Sequence, residues 1–311
     1  MNVARRLDPS LRSALEHLQP GGLAFDELLA PWCSVRVGGP AEALVRPASV
    51  GQLIEVLALA RDAAVPLCVL GGGANTLVGD GGVPGITLKL PADLFPEELE
   101  PGRVTLGAGA AITRLLTLMK RQKCVGAEFL AGIPGSIGGA VTMNAGTKHG
   151  ECMSIVEAVE LATAAGVGWV AASQIPHQYR HTALPAGAVV TRVRFALPEG
   201  DLGASAEKMD ADLSYRKRTQ PLSQPNFGSV FTNPAGDFAG RLIEAVGLKG
   251  HTLGRAQFSM LHANWIVNLG GATAADITGL MALATERVRE AHGVELHPEV
   301  KRIGDFTPRS P

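Results

Sequence analysis

Hydrophobic spacing along the chain alternates between strand and helix signals from the start. Met1–Leu18 reads as an amphipathic helix carrying acidic residues. Ala43–Arg46 predicts a short strand broken by Pro47. Ser49 then predicts a helix cap, with Gln52 three residues on as in a capping box. Leu53, Ile54, Leu57 and Ala60 give that helix one buried face, and Pro66 ends it. Leu67–Leu70 predicts an apolar strand that runs straight into Gly71-Gly72-Gly73. Val104–Leu106 predicts another strand, followed by a helix over Ile112–Gln122 with Leu115, Leu116 and Met119 on one side. Val189–Leu197 alternates apolar residues with Thr and Arg, the period of a half-buried strand.

The pattern then lapses. Pro198–Gly203 is a polar, glycine-bearing joint, and a domain boundary is expected there. The last third opens on a basic, proline-bearing stretch, Tyr215–Pro225. It closes with an amphipathic helix over Ala274–His292, in which Ile277, Leu280, Met281, Ala284 and Val288 share a face. Gly293 stands where a helix C-terminal glycine belongs.

Composition narrows the function classes. At 311 residues the chain has room for two or three domains, and 46% apolar against 18% charged residues supports packed cores. A net charge of −1 argues against nucleic-acid or membrane-surface partners, which call for a basic face. Cys33, Cys68, Cys124 and Cys152 form no C-x-x-C pair, so they read as reduced thiols, and no metal site is expected. No apolar run is long enough for a membrane span and no signal peptide is evident, so the expected location is cytoplasmic.

The candidate chemistry sits in two glycine-rich segments. Gly71-Gly72-Gly73-Ala74-Asn75-Thr76 follows a strand directly, so its backbone N–H groups can form a nest for an anion. It is neither a dinucleotide G-x-G-x-x-G nor a P-loop, and a tight strand-to-loop turn would use the same glycines. The second segment, Glu128–Val141, is nearly uncharged and contains Ile133-Pro134-Gly135-Ser136-Ile137-Gly138-Gly139. Such a loop lies against a large flat ligand or against other backbone. Two of them suit a dinucleotide cofactor.

Five segments in order carry a resemblance: Leu70–Leu77, Glu128–Val141 continued by Met143–Gly146, Tyr179–Thr182, Gly228–Pro234 and Leu296–Val300, with Val35–Ala41 ahead of them. Together they resemble the UDP-N-acetylenolpyruvoylglucosamine reductase family, over roughly residues 30 to 304. The resemblance implies an α+β chain with an FAD-binding fold of the vanillyl-alcohol-oxidase type. That fold has two subdomains, about 1–65 and 66–198, and a separate α+β substrate-binding domain over 199–311. It implies non-covalent FAD held by Gly71, Gly72, Gly73, Asn75, Thr76 and Leu77 and by Ile133, Pro134, Gly135, Ser136, Gly138 and Gly139. NADPH is the implied reductant, and the enolpyruvyl ether of a UDP-sugar the implied substrate.

The resemblance also carries roles. Hydride addition to the enolpyruvyl group leaves negative charge beside its carboxylate. Arg180 would hold that carboxylate in a fork, Ser229 would donate the proton, and Glu299 would flank the same centre, best suited if it shares a proton there. Tyr179, Arg218 and Asn233 are implied substrate contacts. Taken alone, each has a plainer reading: Ser229 as a turn residue, Arg180 as a surface ion-pair partner, Glu299 as a strand-end carboxylate, Arg218 as part of a solvated basic face. Thr232 replaces a Lys common in the family, Thr147-Lys148-His149 replaces Ala-Tyr-Gly, and the long tyrosine-bearing loop of longer members is missing, which resembles the shorter, second type. Two other readings use the same fold: an alcohol or sugar oxidase, and a flavin-binding protein without catalysis. Many such oxidases attach FAD through His or Cys, and neither occurs between Leu70 and Asp80. The oligomeric state is not legible.

Overall fold

The computed structural model describes residues 7–18 and 21–307. The described residues of Met1–Phe25, with Ala43–Gly72 and Gly85–Tyr215, form one compact unit. Asp26–Glu42, Gly73–Pro84 and the described residues of Arg216–Pro311 form the other. These units follow contacts rather than chain order, so neither ends at the joint expected near 198. No helix among the described residues is long and apolar enough to cross a membrane.

In the first unit, α1 (Pro9–His17) starts at Asp8, whose carboxylate accepts the Leu11 N–H at 3.0 Å. The Met1–Arg6 part of the expected amphipathic helix lies outside the described residues. α2 (Val50–Asp62) is capped by Ser49, which accepts the Gln52 N–H at 3.2 Å. The Gln52 carboxamide accepts from Ala48 N–H rather than from the cap residue, so the box is displaced by one position. Leu53, Val56, Leu57 and Ala60 are buried, while Ile54 is only half-buried. Leu11, Leu15, Val45, Val56, Ala60 and Ile86 share one core.

A four-stranded sheet runs in the order Gly22–Leu28, Pro40–Arg46, Val83–Leu88, Leu67–Val69, its last pair parallel. A second, antiparallel sheet runs Gly166–Ala171, Val156–Thr163, Val189–Ala196, Arg103–Gly107, Glu98–Glu100. α3 (Ile112–Arg121) and α4 (Ile137–Thr142) supply Leu115, Leu118, Ile137 and Val141 to the core that holds Leu106, Val159 and Phe195. Each such side chain contributes roughly 1.5–3 kcal/mol by leaving water. Glu160 is buried opposite Arg192, with Nη2···Oε1 at 2.7 Å and Thr191 Oγ1 donating at 2.8 Å. Burial pushes this carboxyl up, but the hydrogen bonds from Arg192 and Thr191 outweigh it and hold the group below the usual carboxylate range. α5 (Leu202–Thr219) begins inside the expected joint, at Leu202, and takes in the start of the basic stretch.

The second unit is built on the antiparallel order Asn226–Ser229, Trp265–Asn268, Ala256–Phe258, Thr252–Leu253. α6 (Ala239–Ala245) and α7 (Ala274–His292) complete it. α7 begins in a capping box of Thr273 and Asp276, ends at Gly293 with φ +67°, and buries the five apolar residues expected of it. Asp80 accepts the Ala274 and Ala275 N–H groups at 2.8 and 3.0 Å, which ties the strand after the first glycine segment to this helix start. Thr76–Val78 pairs in parallel with Lys301–Ile303.

Candidate functional site

The first glycine segment leaves its strand at Leu70, whose N–H donates to Leu88 O at 2.9 Å. Lys89 Nζ then donates to Gly71 O at 2.7 Å, and Gly72 N–H to Ser136 Oγ at 3.2 Å. Ser136 is buried and caps α4, accepting also from Gly139 N–H at 3.3 Å. Gly71 and Gly72 are therefore in contact with the second glycine segment, through the Ser136 side chain. A Cβ on Gly72 would stand 2.6 Å from Gly135 Cα, and one on Gly71 2.8 Å from Ser136 Oγ. Gly138 likewise has no room, with Ala108 Cβ 2.8 Å from where its own Cβ would be. Gly73 is the residue of the triplet with positive φ, +66°. Ile133 and Gly135 are half-buried, whereas Pro134 is exposed.

Tyr179 and Arg180, also in the first unit, form the turn between His177–Gln178 and His181–Thr182. Arg180 holds φ +60°, which costs a non-glycine residue about 1–2 kcal/mol. Its guanidinium carbon lies 4.9 Å from the centre of the Tyr179 ring. Strain at a polar residue in a turn is a common mark of a working site.

In the second unit the segment that follows Ser229 pairs with the irregular segment that carries Glu299. Glu299 N–H donates to Val230 O at 2.8 Å, and Thr232 N–H to His297 O at 2.9 Å. Asn75 Nδ2 donates to Glu299 O at 3.2 Å, while Lys301 N–H donates to Asn75 O at 3.0 Å, so the second half of the glycine segment lies beside Glu299. Ser229 follows Gly228, which has φ +82° and whose N–H donates to Asn226 Oδ1 at 2.9 Å. Thr232, in the place of the family's Lys, is half-buried and donates its hydroxyl to His297 O at 3.2 Å.

A cavity of about 470 Å³ opens in this unit, a size suited to a small-molecule ligand. Ser229 and Asn233 line it, with Phe238, Arg241, Leu261, His262 and Asn264. Asn233 Oδ1 accepts the Ala239 N–H at 3.1 Å, which orients the side-chain amide. Arg218 is exposed on the last turn of α5 and does not line the cavity.

Three of the residues that shape this site carry no signal in the sequence. Buried Asn264 holds the Phe231 backbone both ways, accepting its N–H at 3.0 Å and donating to its carbonyl at 2.8 Å. His262 accepts the Asn264 N–H on Nδ1 at 3.2 Å, so its neutral ring carries its proton on Nε2. Burial, then Lys249, pushes this imidazole below the ordinary histidine value. Arg241 pairs with Asp237 and, with the Phe238 N–H, holds that carboxyl down at about 2. An isolated His-Ala-Asn run gives no periodicity or spacing to announce these roles.

Touching glycine-rich loops in which Gly71, Gly72 and Gly138 have no room for a Cβ mark the class, an α+β FAD-binding protein, and the second unit has a cavity of its own. The FAD binding domain family matches residues 41–170. The C-terminal domain family of UDP-N-acetylenolpyruvoylglucosamine reductase matches residues 220–303. The Myxococcus xanthus UDP-N-acetylenolpyruvoylglucosamine reductase is 65% identical over 96% of this chain and 97% of its own length. An Anaeromyxobacter (strain Fw109-5) protein of the same name is 53% identical over 96% and 94%. The crystal structure of the Thermus caldophilus reductase superposes with a TM-score of 0.79 at 35% identity, covering 91% of this chain and 98% of that one. The chain belongs to the UDP-N-acetylenolpyruvoylglucosamine reductase family.

Proposed function

We propose that this chain is a cytoplasmic, NADPH-dependent reductase that converts the enolpyruvyl ether of UDP-N-acetylglucosamine to UDP-N-acetylmuramate in peptidoglycan precursor synthesis. One observation carries the reading furthest: Ser229 borders the cavity and runs into a segment paired with the one that carries Glu299, and Asn75 of the glycine segment holds the backbone of Glu299. Gly71, Gly72, Gly73, Asn75, Thr76 and Leu77, with Ile133, Pro134, Gly135, Ser136, Gly138 and Gly139, would hold FAD without a covalent link. Bound there and reduced by NADPH, FAD supplies a hydride equivalent to the enolpyruvyl double bond.

The chain's own residues do the rest. As charge grows on the carbon beside the substrate carboxylate, the Arg180 guanidinium binds that carboxylate in a fork and stabilises it. The Ser229 hydroxyl delivers a proton to the same carbon, and Glu299 flanks that centre. Asn233 and Tyr179 contact the nucleotide-sugar, and Arg218 stands ready for its diphosphate. The substrate domain is then the 199–311 segment and the FAD-binding region 1–198.

The test is direct. Purified protein should carry yellow flavin that acid precipitation releases in full, that NADPH bleaches without oxygen, and that the enolpyruvyl UDP-sugar recolours with stoichiometric UDP-N-acetylmuramate. Flavin that is recoloured only by oxygen, with an alcohol as the electron source in turnover, would make the chain an oxidase instead.

A further inference from the structure

The turn that carries Arg180 is too small to hold itself. Its strands are two residues each, His177–Gln178 and His181–Thr182, and Arg180 sits at φ +60°, where L-residues seldom rest. An isolated hairpin of that size has little stability of its own. Two buried side chains tether it instead, one on each arm. Asn144 Nδ2 donates to Gln178 O at 3.2 Å, immediately before the turn. Thr182 Oγ1 donates to Val141 O at 2.6 Å, immediately after it. Thr182 is 4% exposed and Asn144 0%.

Asn144 is itself immobilised. Its amide donates to Glu151 Oε2 at 2.8 Å and accepts the Met153 N–H at 2.9 Å. It stands at φ +41°, a conformation asparagine tolerates better than other non-glycine residues. Val141 belongs to α4, the helix whose cap Ser136 accepts the Gly72 N–H. One short helix thus connects, at its start, to the glycine segment and, at its end, to the Arg180 turn.

We propose that Thr182 and Asn144 are positioning residues of the reductase, holding the Arg180 guanidinium at a fixed place relative to the glycine loops. The proposal rests on the reading of Arg180 as the substrate-carboxylate ligand. Neither residue touches the substrate; both act through the backbone of the turn. Misplacing a fork by about 1 Å is enough to cost on the order of 100-fold in rate.

The experiment is a double-mutant cycle on the holoprotein with Thr182→Val and Arg180→Ala, read by substrate-driven flavin reoxidation and by calorimetric affinity of the oxidised protein for the enolpyruvyl UDP-sugar. Thr182→Val removes the hydroxyl at constant shape. It should keep parental FAD content and NADPH-driven bleaching while slowing reoxidation about 10–100-fold and weakening substrate affinity. Thr182→Ser should restore both. In the Arg180→Ala background Thr182→Val should add nothing.

The proposal is overturned if Thr182→Val reoxidises at the parental rate, if its penalty adds in full to that of Arg180→Ala, or if it slows both half-reactions together with loss of FAD. An Arg180→Ala variant that itself reoxidises normally would remove the reading of Arg180, and the proposal with it. That outcome is distinct from failure of the tether alone, in which Arg180→Ala is slow and Thr182→Val is not.

Discussion

The side-chain amide of Asn75 donates to the backbone carbonyl of Glu299 at 3.2 Å, and the Asn75 carbonyl accepts the Lys301 N–H at 3.0 Å. A residue of the glycine segment therefore holds the backbone at Glu299 and at Lys301, where the last strand begins. Asn75→Leu keeps the volume and removes the donor. With Asn75 also a ligand of FAD, as proposed, FAD affinity should fall about 10-fold, the worth of one hydrogen bond, and loss of its hold on Glu299 should slow single-turnover reoxidation by substrate as well. Fluorescence titration and stopped-flow absorbance check the two effects. A change in FAD affinity with no change in reoxidation would show that Asn75 serves the cofactor alone.

Gly72 and Gly168 make a matched pair for testing the cradle. A Cβ at Gly72 would stand 2.6 Å from Gly135 Cα, whereas one at Gly168 meets nothing within 4 Å. Gly72→Ala should force the two loops apart and give protein purified with little flavin, while Gly168→Ala should retain it fully. Flavin-to-protein absorbance ratios decide the matter. Equal ratios would mean that the loops can separate without consequence for the ligand.

Arg192 neutralises a buried carboxylate, and removing it should tie stability to pH. The Glu160 carboxyl is held below its ordinary value, so its stabilising contribution is complete above the unfolded-state pKa and is lost as pH falls through the folded one. Arg192→Leu leaves the desolvated carboxylate without its main partner, costing about 3–5 kcal/mol near neutrality. Protonation of Glu160 relieves that burden, and the variant's desolvated carboxyl takes up its proton at a higher pH than the parent's. The gap between parent and variant should therefore begin to narrow above the ordinary carboxylate value and go on narrowing until the parent's Glu160 is protonated as well. Urea unfolding at a series of pH values measures it. A gap that stays constant with pH would assign the loss to packing of the arginine stem.

Much of the framework was legible because it rests on local signals. The Ser49 cap, the strand into Gly71 and the α7 stripe ending at Gly293 all follow from cap chemistry and period. α5 was not, because over 18 residues it buries only Ser205 and Met209 and so shows no apolar stripe. α4 read as loop, since Gly138 and Gly139 speak against a helix. Gly138 is required by the close approach of Ala108, a tertiary fact. Val156–Thr163 went unread because it is buried on nearly every residue and lacks strand alternation. The glycine segments and the candidates Ser229, Arg180 and Glu299 rest on ordered motifs. The residues that fix them, Asn264, Thr182 and Asn144, act through backbone groups far away in sequence, which no local pattern encodes.

Ser229 as proton donor is the centre of the account, and its two half-reactions can be run apart. A proton is needed only when the enolpyruvyl group is reduced, so Ser229→Ala should leave anaerobic bleaching by NADPH nearly at the parental rate. Reoxidation by the enolpyruvyl UDP-sugar should slow by roughly 10²–10⁴-fold, as expected for loss of a positioned acid. Ser229→Cys should recover part of that step. Stopped-flow flavin absorbance, recorded for each half-reaction separately, is the measurement. A Ser229→Ala protein that is crippled in reduction by NADPH yet reoxidised by substrate at the parental rate would contradict the assignment.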